Sequence, residues 1–155
     1  MQEKKFILVK AKPLISIITL NWNQTEITCQ FLESTRKLLY KHYEVLVCDM
    51  GSAADPTLQI ITGNYPNTRI LKTDPCNDNG VNWAIKQAKG DFILLINNHT
   101  ELTENTLDDL LAPFLTDKIL GVTCPKIRYF HKKNEIQYAG YNALNKLTGR
   151  KTIIG

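Results

Sequence analysis

Four short apolar runs, each closed by polar residues and separated by segments of helical period, constrain this chain more than any other feature. Leu14–Leu20 is rich in β-branched residues and lacks helical spacing, so it reads as a buried strand. A helix pattern follows from about Thr25 to Tyr40, with Ile27, Phe31, Leu32, Thr35, Leu38 and Leu39 on one face and Glu26, Glu33 and Arg36 off it. Tyr43–Cys48 is a second strand running into the turn Asp49-Met50-Gly51-Ser52. Asp55-Pro56 opens a second helix, the aspartate as its cap and the proline in its first turn. Thr68–Lys72 is a third strand, and Asn79–Lys89 a third helix closed by Gly90. Asp91–Ile96 is a fourth strand halted by Asn97-Asn98-His99-Thr100, after which Thr103–Thr106 starts a helix through Leu115. Strands alternating with helices specify an α/β class: a mostly parallel sheet with helices on both faces. Such a sheet normally reverses its winding once, and the connections leave the place of reversal open. After Gly121 the texture changes. Val122–Phe130 is a long β-prone stretch interrupted by Pro125, His131–Asn134 reads as a hairpin turn, and Ile136–Gly140 as the return strand, a partial antiparallel segment.

At 155 residues, 43% hydrophobic and 22% charged, the chain suits one globular domain and excludes a disordered one. No apolar run reaches the roughly 20 residues of a membrane span, and the apolar stretch before Lys10 is too short for a signal peptide. Cys29, Cys48, Cys76 and Cys124 show no C-x-x-C spacing, which reads as a reduced cytoplasmic protein without a disulfide frame or structural zinc. The net charge of +4 is uneven: +3 over residues 1–12, −5 over 13–125 and +6 over 126–155. An acidic body with basic ends argues against nucleic-acid binding. It fits either a last segment that meets phosphates or an anionic membrane surface, or a solvated tail. The organisation expected is a basic arm (1–12), an α/β ligand-binding body (13–125) and an incomplete β segment of the same domain (126–155).

Ligands of open α/β sheets bind beyond the carboxyl ends of the strands, near the reversal of strand order. Here those ends are all polar: Asn21-Trp22-Asn23, Asp49-Met50-Gly51-Ser52, Asp74 and Asn97-Asn98-His99. The same residues carry a resemblance. Asn21-Trp22-Asn23 is similar to an N-Y-N strand end, Asp49-Met50-Gly51-Ser52 to D-N-G-S, and Ala88–Glu101 to A-K-G-E-Y-I-L-L-L-N-N-D-T-E. Gly121-Val122 with Pro125-Lys126, Ile136-Gln137 with Ala139-Gly140, and Gly149-Arg150 follow in the same order. Together they resemble the start of a family two glycosyltransferase of the Rossmann-like GT-A fold, from the branch of bacterial rhamnosyltransferases. The resemblance implies transfer of a sugar, with inversion, from a nucleotide-diphosphate donor to an acceptor hydroxyl, in surface polysaccharide or glycolipid synthesis. It implies that Asn21 and Asn23 line the base pocket and that Asp49 accepts a hydrogen bond from the base N–H. A carboxylate suits that task because a charge-assisted bond rejects bases lacking the donor. Trp22 and Gly51 belong to the same loops, Trp22 serving either ligand stacking or core packing under its loop.

At the fourth strand end the family places an aspartate that binds the divalent metal bridging the diphosphate. Here the triplet is Asn97-Asn98-His99, with histidine in its place. Mg²⁺ and Mn²⁺ prefer oxygen ligands, so three arrangements stand open: His99 on Mn²⁺, His99 on the diphosphate without metal, or a degenerate site. A weakened or altered metal site is favoured. The family's glycine-rich loop is shortened to Asn79-Gly80-Val81-Asn82, in which Asn79-Gly80 reads as a turn; the resemblance implies that Asn82 keeps a polar contact with the donor. One extra residue after Ser52 moves Asp55 out of the family's S-T-D to a helix cap. An inverting transferase also needs a carboxylate base. The resemblance puts that residue beyond Gly155, so the chain is expected to be the donor-binding portion of a longer transferase, binding donor weakly and transferring nothing alone. The alternative is a non-catalytic binding module of the same descent.

Overall fold

The computed structural model describes residues 12–72, 80–132, 134–141, 148 and 151–154. The basic arm up to residue 11, together with Asp74, Cys76, Asn79, Lys133, Lys146, Gly149 and Arg150, lies outside the described residues. In chain order the elements are β1 (Ile15–Asn21), α1 (Thr25–Thr35), β2 (Tyr43–Asp49), α2 (Thr57–Thr62), β3 (Thr68–Lys72), α3 (Gly80–Gln87), β4 (Phe92–Leu95), α4 (Thr106–Thr116), β5 (Ile127–Arg128) and β6 (Ile136–Tyr138). They form two compact units, one holding β1–β4 with α1–α3 and the other holding α4, β5 and β6.

In the first unit a parallel sheet runs β3-β2-β1-β4. The chain steps outward from β1 to β3 and then returns to the other side of β1, so the reversal that the sequence left open falls between β1 and β4. β1 and β2 are apolar along nearly their whole length because both of their faces are covered. Ile15, Ile17, Thr19 and Asn21 sit opposite Tyr43, Val45, Val47 and Asp49 on one face. This is the α1 side: Tyr43 Oη donates to Thr35 O at 3.1 Å and Thr28 Oγ1 reaches Asn21. On the other face Ile18, Leu46 and Cys48 pack with Ala84 of α3.

The amino ends of the strands are tied by one carboxylate. Glu44 Oε1 accepts from Ser16 Oγ at 2.7 Å and from Lys89 N at 2.7 Å, while Oε2 accepts from Arg69 Nη2 at 3.0 Å. Burial acts to raise the Glu44 pKa, but the Lys89 N–H, the Ser16 hydroxyl and the Arg69 guanidinium outweigh it, and the net shift is downward. Gly90 N donates to Ser16 Oγ at 2.8 Å. A Cβ at Gly90 would lie 2.6 Å from Ser16 N and 2.8 Å from Phe92 O, so no larger residue fits there.

Most boundaries fall within two residues of the sequence reading, and three differences have a clear physical cause. α1 ends at Thr35, not near Tyr40. The hydroxyls of Ser34 and Thr35 turn back onto the carbonyls of Phe31 and Leu32, and Arg36 N bonds Glu33 O, a tightened last turn that stops the helix. Leu39 is therefore exposed, off the face assigned to it. α2 begins at Thr57 with Asp55 one position further out than a cap, its Oδ1 accepting from Thr57 N at 2.9 Å. Of the β-prone stretch Val122–Phe130 only Ile127–Arg128 is strand, because Pro125 offers no N–H and Val122, Tyr129 and Phe130 are exposed. The hairpin itself is present: β5 pairs antiparallel with β6 around a turn closed by Glu135 N to Lys132 O at 2.7 Å. In this second unit Leu38, Leu102, Leu107 and Leu111 are buried.

Candidate functional site

The carboxyl ends of β1, β2 and β4 build one polar cluster in the first unit. Asn21 closes β1 opposite Asp49 of β2, and Asn21 O accepts from Met50 N at 2.9 Å, which extends the ladder past the strand ends. Gly51 then takes a left-handed φ of 81°, a conformation that costs glycine nothing. That turn folds Ser52 back over Asp49. Ser52 Oγ donates to Asp49 Oδ1 at 2.5 Å and Ser52 N donates to Oδ2 at 3.1 Å. Asn21 Nδ2 adds a third donor to the carboxylate, reaching Oδ1 at 2.7 Å. With about four acceptor positions on a carboxylate, one further donor can still be taken.

The loop after β1 is pinned to the same turn. Asn23 adopts a left-handed φ of 54°, its N donates to Ser52 Oγ at 2.9 Å, and its Oδ1 accepts from Ala53 N at 2.7 Å. Between two such anchored asparagines Trp22 is 65% exposed. The core-packing alternative for Trp22 is thereby corrected, since the turn at Asn23 leaves the indole outside.

On the other side Asn98 is buried while its neighbours Asn97 and His99 are exposed. Asn98 Nδ2 donates to Thr28 Oγ1 at 3.0 Å, and Thr28 Oγ1 donates to Asn21 Oδ1 at 2.7 Å. Thr28 and Ser52 are the two members that sequence reasoning did not single out as site residues. Ser52 stands in the quoted turn motif, whereas Thr28, seven residues after Asn21, lies in a helical stretch and belongs to no motif.

α3 reaches the same rim through its first residue. Cys48 Sγ lies 3.6 Å from Gly80 O, and a Cβ on Gly80 would overlap the Met50 sulfur. Gly80 is therefore a packing position, and Asn82 is exposed on α3. Burial and then the Asp49 charge push the Cys48 thiol up to about 11. Asp55 sits apart: the Lys72 ammonium, 2.6 Å away, holds its carboxyl well below the usual carboxylate range.

As for a metal, the fourth-strand triplet offers one imidazole and two amides, and Asn98 presents its amide N–H inward to Thr28. Among the described residues no group of three or more His, Cys, Asp or Glu side chains could hold a metal ion. The triplet thus carries no carboxylate, the ligand that hard divalent cations favour.

Residues 16–153 match the family described as glycosyl transferase family 2. The chain belongs to that family. Over 138 residues it is 26% identical to the O-antigen biosynthesis protein RfbC of Myxococcus xanthus, which covers 85% of this chain and 10% of that protein. TarS 1–349 of S. aureus in complex with UDP-GlcNAc is 28% identical with a TM-score of 0.58, over 66% of this chain and 31% of that one. The mannosyltransferase PcManGT of Pyrobaculum calidifontis, solved with GDP-Man and Mn²⁺, has a TM-score of 0.66 at 18% identity, over 76% of this chain and 37% of that one. The last likeness concerns the fold alone. The chain thus spans well under half the length of each. The GT-A fold expected of a family 2 glycosyltransferase is the fold found. Among the described residues no helix is long and apolar enough to cross a membrane.

Proposed function

We propose that this chain binds a nucleoside-diphosphate sugar across the carboxyl ends of β1, β2 and β4 and forms the donor side of an inverting glycosyl transfer. The observation that carries this reading is the junction of Asn21, Asn23, Asp49 and Ser52 with Asn98 at the reversal of strand order, where such sheets hold ligands. Family membership and the UDP-GlcNAc bound by TarS support the donor class, and RfbC supports a role in surface polysaccharide or glycolipid synthesis. In the reaction an acceptor hydroxyl oxygen attacks the anomeric carbon. The bond to the diphosphate breaks from the opposite face, and a base takes the hydroxyl proton.

Asp49 takes the base N–H with the acceptor position its three donors leave. Asn21, whose amide is engaged by Asp49, Ser52 and Thr28, acts by holding that carboxylate. Asn23 and Gly51 shape the base-side loops, Trp22 stacks from the exposed side, and exposed Asn82 flanks the donor while Gly80 packs beneath it. Asn97 and His99 meet the diphosphate, and no step is routed through a metal. Neither Asp55, which is paired with Lys72, nor Glu44, which lies at the opposite end of the strands, serves as the catalytic base. Exposed Lys126, Lys132 and Lys151 fit contact with an anionic inner membrane face.

Calorimetry of the purified chain with UDP-, GDP- and dTDP-sugars, with and without Mn²⁺, tests the reading. Weak saturable binding of one donor, with no turnover, is expected; heat-silent titrations with all of them refute it. The histidine at position 99 favours a second reading, a non-catalytic module of the same family. His99→Asp separates the two. A gain in Mn²⁺-dependent nucleotide affinity marks an altered donor site, and no response to any nucleotide marks the module.

A further inference from the structure

Asp49 and the Asn98–His99 loop belong to different strands, yet one unbroken chain of buried hydrogen bonds joins them. Asn98 Nδ2 donates to Thr28 Oγ1 at 3.0 Å, Thr28 Oγ1 to Asn21 Oδ1 at 2.7 Å, and Asn21 Nδ2 to Asp49 Oδ1 at 2.7 Å. All four side chains are buried, between 0% and 6% exposed. The direction of donation is forced. A carboxylate accepts only, so Asn21 must present its NH₂ to Asp49 and its carbonyl to Thr28. The single hydroxyl proton of Thr28 is then committed to Asn21, leaving Thr28 an acceptor towards Asn98, which must present its own NH₂. The charge on Asp49 therefore sets the orientation of the Asn98 amide three hydrogen bonds away. Gln24 Oε1, 3.5 Å from Asn98 Nδ2, is too distant to hold it unaided.

We infer that Thr28 is a positioning residue: its hydroxyl locks the phosphate-side loop of β4 to the base-side carboxylate of β2, so that the two ends of the donor are recognised by one coupled unit. The inference rests on the donor-binding reading above. Water cannot replace the Thr28 hydroxyl without entering the buried interior, so removing it strands Asn21 Oδ1 and Asn98 Nδ2 and releases the loop.

The test uses Thr28→Val, which keeps the shape and removes the hydroxyl, and Thr28→Ser, which keeps the hydroxyl. The probe is the tightest-bound of UDP, GDP and dTDP. With folding verified by urea denaturation, Thr28→Val is expected to bind it at least tenfold more weakly and Thr28→Ser within about threefold of wild type. Val binding as tightly as wild type, or Ser as weakly as Val, overturns the inference. A measurement on the unmutated chain does not depend on the variants folding. The matching nucleoside, which has no phosphate to reach the loop, is expected to shift the Asn98 side-chain amide signals in a ¹⁵N NMR titration. Saturation with nucleoside that leaves those signals in place overturns the coupling. Failure of wild type to bind any of the three nucleotides overturns the donor-binding reading and this inference with it. Wild-type binding with an unaffected Val variant overturns this inference alone.

Discussion

Replacing Glu44 by glutamine isolates the tie across the amino ends of the sheet. The carboxylate side chain is 12% exposed and serves donors on both oxygens, whereas glutamine keeps one acceptor oxygen. If that oxygen stays with Ser16 and Lys89, the new NH₂ faces the Arg69 guanidinium, donor against donor. The loss is one charge-assisted hydrogen bond, about 1.5–3 kcal/mol in a buried setting. Arg69 is 39% exposed and its Nη2 also bonds Gln87 O at 2.9 Å, so water and that carbonyl recover part of it. A net cost of about 1–2 kcal/mol follows. In urea, with a slope of about 2 kcal/mol per molar, the midpoint should fall by roughly 0.5–1 M at pH 7. The pH dependence fixes the cause. Because the folded pKa of Glu44 lies below its ordinary 4.5, its contribution is fully present above that value and is lost as pH falls through the folded value. The gap between wild type and variant should therefore be constant from pH 7 to 5 and close below about pH 4.5. Equal midpoints at pH 7, or a gap undiminished at pH 3.5, would refute the reasoning.

Gly90→Ala should cost about 1–3 kcal/mol by urea denaturation, because its Cβ meets backbone atoms of Ser16 and Phe92 that cannot rotate aside; Gly80→Ala, which displaces only the flexible Met50 side chain, should cost less. Asp49→Asn is expected to lower nucleotide affinity at least tenfold in calorimetry, and an unchanged affinity would remove Asp49 from base recognition. Cys48, buried with its pKa near 11, should resist iodoacetamide at pH 8 while exposed Cys124 is alkylated, as read by peptide mass spectrometry. Rapid labelling of Cys48 in the native chain would contradict its burial.

The four strands were legible because each is a dense β-branched or apolar run bounded by turn residues, and β3 coincides with its sequence reading, Thr68–Lys72. Where side chains compete with the backbone the reading failed. Nothing in the spacing of Ser34 and Thr35 announces that both hydroxyls turn back on the helix and end it. Val122–Phe130 has strand propensity but lacks burial, and propensity alone does not hold a strand. At the site, motif order picked out Asn21, Asn23, Asp49 and the Asn97–His99 triplet. It could not tell an amide facing inward from one facing outward. Asn98 and Asn97 are adjacent and chemically identical, yet one is buried and hydrogen-bonded and the other exposed. That distinction is three-dimensional, as is the role of Thr28.

The return of the chain to the far side of β1 also has a consequence for synthesis. Leu14, at the foot of β1, donates to a carboxylate of Asp91, 77 residues later in the chain. At ~5–20 residues per second on the ribosome, roughly 4–15 seconds separate the emergence of the two. Through that interval the side of β1 that β4 later covers stays open to stray pairing, the hazard of any uncovered strand edge.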